Sequence, residues 1–413
     1  MRSSRNTSEA YSSGRDVPGN RRRGAPADGD IQTAGIKHKA YIDWSLIVIV
    51  VFLLAFGLVI LYSASYYEAS MSKDCNYDPM FYLKKQLQWS VVGLAAMTAM
   101  AFIPHSLWKK LSKPMFLVSV AMIFLCLAFP AVNGAQRWVR FGGFSVQPAE
   151  VVKITTIFLM AAMITKLGTR LYMPKVAIGM LIYPTVAAAL LYFITDNLSS
   201  AIIVLLIALG MFFVSRTDYW KFILGAILIV GLAALAVWLV INNDDVRKAL
   251  GFRASRIVAW RDPQANSGKY GFQTQQALYA IGSGGWFGKG LGRSMQKLGY
   301  IPEVQNDMIF SIICEELGVF GAISIILMFI LLCWRLMFIA DNATDSFGSY
   351  TAVGVFCHIA VQVFLNIAVV TNTIPNTGVT LPFISYGGSS VLFTLIEIGA
   401  VLNVARGIQT NRN

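Results

Sequence analysis

The sequence has little charge. Asp, Glu, Lys and Arg make up 13% of its 413 residues, about half the roughly 25% typical of a soluble domain. So few ionic groups cannot cover a water-facing surface, so water is not the main solvent of this chain. Histidine is scarce, with three in the chain, and no metal-ligand cluster is visible. Of the five cysteines, Cys126, Cys314, Cys333 and Cys357 fall inside apolar segments and Cys75 stands alone in a loop, which excludes a disulfide framework. A cleavable signal peptide is also lacking: residues 1–40 are rich in Arg, Ser, Gly and Asn and contain no apolar stretch of the required length. They read as a disordered basic tail on the cytoplasmic side.

A nucleotide-binding loop is missing too. The Gly-rich stretch at 282–292 puts Ser283 where the Walker pattern needs Gly, and Gly290 where it needs Ser or Thr. Tight turns are the simpler use of these glycines, although Lys289 and the backbone N–H groups could touch a lipid pyrophosphate.

What the sequence does have is apolar: 56% of its residues are hydrophobic and the mean hydropathy is +0.60. Apolar runs long enough for a hydrocarbon core of about 30 Å recur along it. Spans are expected at about 44–64, 87–104, 114–132, 150–165, 176–194, 198–215, 220–241, 308–333, 349–370 and 389–405. The fold class is therefore all-α, a polytopic membrane protein of about ten transmembrane helices with a long ordered outer loop between helices 7 and 8.

The net charge of +13 reflects topology and not nucleic acid. With both termini cytoplasmic, the inner segments collect the tail's basic residues together with Lys109, Lys110, Lys113, Lys166, Arg170, Lys175, Arg216, Lys221, Arg335, Arg406 and Arg412. The short outer loops hold only Lys73, Lys84, Lys85, Arg137 and Arg140, as the positive-inside rule requires. The long loop at 242–306 then faces outward. Its scattered aromatics, and an apolar pattern around 273–281 that suits a short helix, predict a packed cap.

Ionisable groups in an apolar span are costly unless paired or facing a cavity. Glu150 and Lys153 share a face of the fourth span, so they form either a structural ion pair or a polar wall for a charged headgroup, with Arg137 and Arg140 in the loop before them. Asp307 directly precedes the eighth span. It suits an N-cap, and a carboxylate beside apolar walls also suits a general base. Glu315, Glu316, His358, Gln362, Asn366 and Glu397 read as hydrogen-bonding groups between helices. The final outer loop at 371–390 carries no charge but many Gly, Pro, Ser and Thr, which reads as irregular backbone forming part of a site, with Ser385 as a candidate substrate ligand.

Several stretches together resemble the SEDS family of bacterial cell-wall glycosyltransferases, the FtsW/RodA/SpoVE group. They are Gly134-Ala135-Gln136-Arg137-Trp138, Gln147-Pro148-Ala149-Glu150 with Lys153, Gln296-Lys297-Leu298 with residues 300–310, Glu315-Glu316-Leu317-Gly318, and Thr377-Gly378-Val379-Thr380-Leu381-Pro382-Phe383-Ile384-Ser385-Tyr386-Gly387-Gly388-Ser389-Ser390. The resemblance covers 43–406, giving a transmembrane domain at 41–407 and a short cytoplasmic C-terminus at 408–413. Residues 296–303 look more like division-type FtsW, or the sporulation protein, than elongation-type RodA. Two departures stand out: Asn197 replaces the family's aspartate before the sixth span, and Ala149 replaces its serine.

The resemblance implies an inverting peptidoglycan glycosyltransferase of the bacterial cytoplasmic membrane that polymerises lipid II at the outer face. Its catalytic aspartate falls on Asp307, and Arg137, Glu150, Lys153 and Ser385 are the expected substrate-binding residues. A class B penicillin-binding protein and other division proteins are the expected partners. No cofactor follows from the residues, and a divalent cation, Mg or Mn, stays open. A lipid-linked-precursor flippase and a non-catalytic division scaffold are the competing readings, and an elongation or sporulation role competes with division.

Overall fold

The computed structural model describes residues 42–131, 136–141, 144–216, 219–264 and 269–408. The tail expected at 1–40 and nearly all of the C-terminal segment lie outside the described residues. Fifteen elements follow one another: α1 (Trp44–Met71), α2 (Phe81–Phe102), α3 (His105–Leu125), β1 (Val139–Phe141), β2 (Phe144–Val146), α4 (Pro148–Leu167), α5 (Pro174–Thr195), α6 (Leu198–Val214), α7 (Tyr219–Asn242), α8 (Asp244–Leu250), α9 (Phe252–Arg261), α10 (Lys269–Gly284), α11 (Ile309–Asp341), α12 (Ser346–Val370) and α13 (Gly388–Arg406). The strands form one antiparallel hairpin in the loop before α4.

Ten of these helices coincide with the ten spans expected from hydropathy. Seven of them, α1, α3, α4, α5, α11, α12 and α13, are long and apolar enough to cross a membrane by length and composition among the described residues. The other three are weaker for visible reasons. α2 opens with Lys84, Lys85, Gln86 and Gln88, α6 has 17 residues, and α7 contributes the apolar stretch Gly231–Asn242.

Local chemistry sets the helix starts. Pro148 and Pro174 occupy the first turns of α4 and α5, where a missing N–H costs nothing. Asp43 caps α1 by accepting from Leu46 N at 3.0 Å, and is itself clamped by Arg335 Nε of α11 at 2.8 Å. Asn197 caps α6 by accepting from Ser200 N at 3.1 Å. Asn and Asp cap equally well, so the replacement of the family's aspartate leaves this helix start intact.

α4, α12 and α13 are the most enclosed spans, with α4 packed against α3, α6 and α12, and α12 also against α11 and α13. α2 and α13 approach so closely that a Cβ on Gly399 would come within 2.4 Å of Met97 O. α3 and α5 instead leave large apolar side chains such as Leu117, Val118, Ile178, Ile182 and Phe193 exposed, as a lipid-facing surface requires.

Between α7 and α11 the chain forms three short helices and then a strap. α11 is broken at Gly318, whose φ of 68° and ψ of −166° are open to glycine and strained for any side chain. The break frees carbonyls, and the strap takes them: Lys289 N donates to Glu315 O and Gly290 N to Glu316 O, both at 2.9 Å. Val319 N donates in return to Gly285 O at 2.9 Å.

Candidate active site

Asp307 lies at the end of this strap, two residues before α11. Met308 is the N-cap of α11 and makes no side-chain capping bond, so Asp307 does not serve as the N-cap that its position suggested. Its Oδ1 is sealed from solvent and has no hydrogen-bond partner among the described residues. The residue as a whole keeps some surface, while its carboxyl sits among protein atoms. Burial lifts that carboxyl to about 6, with the Glu303 carboxylate adding to the rise and its own backbone amide and the Arg256 guanidinium opposing it.

Four elements hold the segment around this carboxyl. From α12, Asn366 Nδ2 donates to Asp307 O at 2.8 Å and to Val379 O at 2.7 Å, fastening the strap and the final outer loop to one amide. From α10, Gln273 Nε2 donates to Pro302 O at 3.0 Å, and Asn376 Nδ2 donates to Gln273 Oε1 at 3.0 Å. From α9, Arg256 donates to Asn376 O at 3.3 Å, and Trp260 and Asn372 exchange side-chain-to-backbone bonds at 3.0 and 3.2 Å. Ser199 at the start of α6 donates to Thr377 O. The final loop reaches the carboxyl itself, since a Cβ on Gly378 would stand 3.7 Å from Asp307 Oδ2.

Glu150 and Lys153 are both buried in α4, with Lys153 Nζ 2.9 Å from Glu150 Oε2. The contact is an ion pair by distance without hydrogen-bond alignment. Lys153 also donates to Gln362 Oε1 of α12 at 3.1 Å. Gln362 and Asn366 are one turn apart on α12, a rise of about 6 Å. A single helix face therefore links the Lys153 side of the site to the Asp307 side. The i, i+4 spacing of His358, Gln362 and Asn366 is the sequence signal for that link.

The other expected ligands are engaged elsewhere. Arg137 donates to Thr195 O at 3.1 Å and Asp196 O at 2.6 Å, satisfying the open carbonyls at the end of α5. Arg140 is exposed on β1. Ser385 is buried, and its Oγ accepts from Leu381 N at 2.8 Å, closing a turn of the final loop. Lys289 pairs with Glu315 Oε1 at 2.6 Å and also donates to Ser283 Oγ at 2.8 Å. Glu316 is matched in turn by Lys297 at 2.9 Å and by Ser63 of α1. These two carboxylates brace the strap from below, a partnership their positions in the sequence do not reveal.

Comparison with known proteins agrees with this architecture. A family model described as a cell cycle protein, FtsW/RodA/SpoVE, matches residues 44–410. The chain is 37% identical over 375 residues to a probable peptidoglycan glycosyltransferase FtsW of Trichlorobacter lovleyi, covering 89% of this chain and 94% of the relative. It is 36% identical over 375 residues to stage V sporulation protein E of Bacillus subtilis, with 88% and 97% covered. The solved rod shape determining protein RodA of Thermus thermophilus matches with a TM-score of 0.63 at 25% identity, over 90% of this chain and 98% of that one. A chain from a study of the structural coordination of polymerization and crosslinking by a peptidoglycan synthase complex matches with a TM-score of 0.71 at 24% identity, over 90% and 100%. With a family match running from the first span to the end of the last, the chain belongs to the FtsW/RodA/SpoVE family.

Proposed function

We propose that the protein is a peptidoglycan glycosyltransferase that polymerises lipid II at the outer face of the cytoplasmic membrane during cell division, with Asp307 as its general base. The observation that carries this reading is the Asp307 carboxyl: one oxygen buried without a hydrogen-bond partner, no ion pair among the described residues, and a proton affinity raised to about 6 by burial. At neutral pH such a group is mostly ionised, yet it is a stronger base than an ordinary aspartate. It takes the proton from the acceptor sugar's 4-hydroxyl as that oxygen forms a bond to the donor's anomeric carbon. The bond from that carbon to the lipid pyrophosphate breaks and the configuration inverts. A positioned base contributes about 10²–10⁴-fold to such a step.

Lys153 neutralises the leaving pyrophosphate, and Glu150 tempers its charge until substrate arrives. Arg137 and Ser385 act through the loops they hold in place. A Mg or Mn ion, if the reaction uses one, has the substrate's pyrophosphate as a natural ligand. A class B penicillin-binding protein is the proposed partner. The deciding experiment incubates purified wild type and Asp307→Asn with lipid II. The expected result is glycan polymer from the first and almost none from the second; polymer at equal rates, from well-folded protein, would overturn the assignment. Relocation of lipid II without any polymer would point to the flippase instead.

A further inference from the structure

Beneath the site a second set of buried polar groups crosses the core. His358 and Gln362 on α12, Glu397 on α13 and Lys153 on α4 are each no more than 2% exposed. Gln362 Nε2 donates to Thr380 O at 3.1 Å in the final outer loop, which fixes the orientation of its amide. Gln362 Oε1 therefore faces both Lys153 Nζ at 3.1 Å and His358 Nε2 at 2.8 Å. An amide oxygen only accepts, so His358 Nε2 must carry a proton. The other ring nitrogen, Nδ1, lies 2.7 Å from Glu397 Oε2. A hydrogen bond there needs one proton, held either by the ring, as imidazolium beside carboxylate, or by the carboxyl beside a neutral ring. In both arrangements the His358–Glu397 pair has no net charge.

The consequence falls on Lys153. Its ammonium has three N–H bonds. One goes to Gln362, and Glu150 Oε2 stands 2.9 Å from the nitrogen without hydrogen-bond alignment, so among the described residues the ammonium keeps N–H bonds that no protein group takes. With the His358–Glu397 pair neutral, Glu150 is the only counter-charge in this network. Without His358, Gln362 Oε1 would lose the Nε2–H that holds it beside Lys153, and Glu397 would lose its ring partner, so the amide would no longer fix where the ammonium stands.

We infer that Gln362, backed by the proton-sharing pair of His358 and Glu397, is a positioning residue that sets Lys153 for the donor's pyrophosphate. The inference rests on the reading of Lys153 as a pyrophosphate ligand. Gln362 ties that lysine to Thr380 of the final loop, and Asn366, one turn along the same face, ties Asp307 to Val379 of the same loop. Leaving group and base are thus registered to one helix face and one loop.

The test is a double-mutant cycle on lipid II polymerisation by the full-length protein. Gln362→Glu, which cannot donate to Thr380 O and adds a charge beside Lys153, is expected to raise the KM for lipid II by about tenfold or more, and by more than it lowers kcat. His358→Gln replaces the fixed Nε2–H that holds Gln362 Oε1 and is expected to act in the same direction. In a Lys153→Ala background neither substitution should raise KM further, because both act through the lysine. Additive effects in that background, or unchanged KM in the single variants, would overturn the inference while leaving the role of Lys153 standing. An unchanged KM in Lys153→Ala alone would remove the reading beneath it, and the inference with it. His358→Gln leaves Gln362 untouched, so the cycle remains decisive if Gln362→Glu fails to insert.

Discussion

At the scale of single residues, Asp307 couples activity and stability in opposite directions. Its carboxyl releases its proton near 6 in the folded protein, against an ordinary value of 3.8. A raised carboxyl means that the folded state binds more protons between those values, so stability falls as pH climbs from about 4 to 6 and the cost is complete above that. The base, however, must be ionised, so the rate should rise through about pH 6 and level off above. Asp307→Asn is therefore expected to abolish polymerisation while raising the melting temperature at neutral pH, by up to about 3 kcal/mol of stability. A scan of Tm against pH checks this: the variant's advantage should shrink towards zero as pH falls from about 6 to 4, and an advantage that persists or widens at acid pH would contradict the burial account. Asn366→Leu should behave differently. It leaves Asp307 O and Val379 O without their shared donor, at about 1–3 kcal/mol for each buried group, so both Tm and rate should drop. An unaltered rate at a lowered Tm would show that Asn366 supports the fold alone. The sequence made Asp307, Glu150 and Lys153 visible because ionisable groups are rare in apolar runs. It could not show that Arg137 is spent on the end of α5 or Lys289 on Glu315, since those partners stand 58 and 26 positions away and meet only in three dimensions.

At the scale of elements, the helices were the legible part, because a hydrocarbon core imposes a length and a composition that hydropathy reads directly. The outer region was harder. Its helices are short and amphipathic, and the strap after α10 takes its shape from carbonyls freed at Gly318, a break that lies inside a helix and leaves no trace in hydropathy. Two ion pairs hold that strap, the half-buried Lys289 with Glu315 and the buried Lys297 with Glu316. Removing one member of a buried pair strands the other charge, whereas removing both is far milder. Lys297→Met should therefore destabilise the protein by about 3–5 kcal/mol. Adding Glu316→Gln to Lys297→Met should recover much of that loss, with Ser63 still able to donate to the new amide oxygen. Thermal unfolding of the single and double variants decides the matter: equal losses in both would mean that the pair is not what holds the strap. Because the strap ends at Asp307, the polymerisation rate should follow stability in this series.

At the scale of the whole molecule, orientation and partnership belong together. In the proposed orientation Lys109 lies inside and Arg293 outside, so an impermeant thiol reagent on intact cells should label Arg293→Cys and spare Lys109→Cys; both positions are exposed, and Cys75 is buried. The reverse pattern would turn the site to face the cytoplasm and remove the wall-side chemistry. Given the outward placement, the elements that meet at Asp307 are the ones a wall-side partner could press: α9 through Arg256 and Trp260, α10 through Gln273, and the final loop through Asn372 and Asn376. If the arrangement of these contacts is one of several that the free protein samples, a partner can select it. A class B penicillin-binding protein bound to the outer face would favour that arrangement. If it is populated about a tenth of the time in the free protein, binding can raise the rate by at most about tenfold. Trp260→Ala removes the indole's bond to Asn372 O and loosens α9 from the final loop, so it should lower the rate without partner and enlarge the partner's effect. A partner reduced to its membrane helix should still bind but should not activate. Equal polymerisation with and without a verified, stable partner would end the activation proposal, and an equal activation factor in wild type and Trp260→Ala would place its origin away from the α9 clasp.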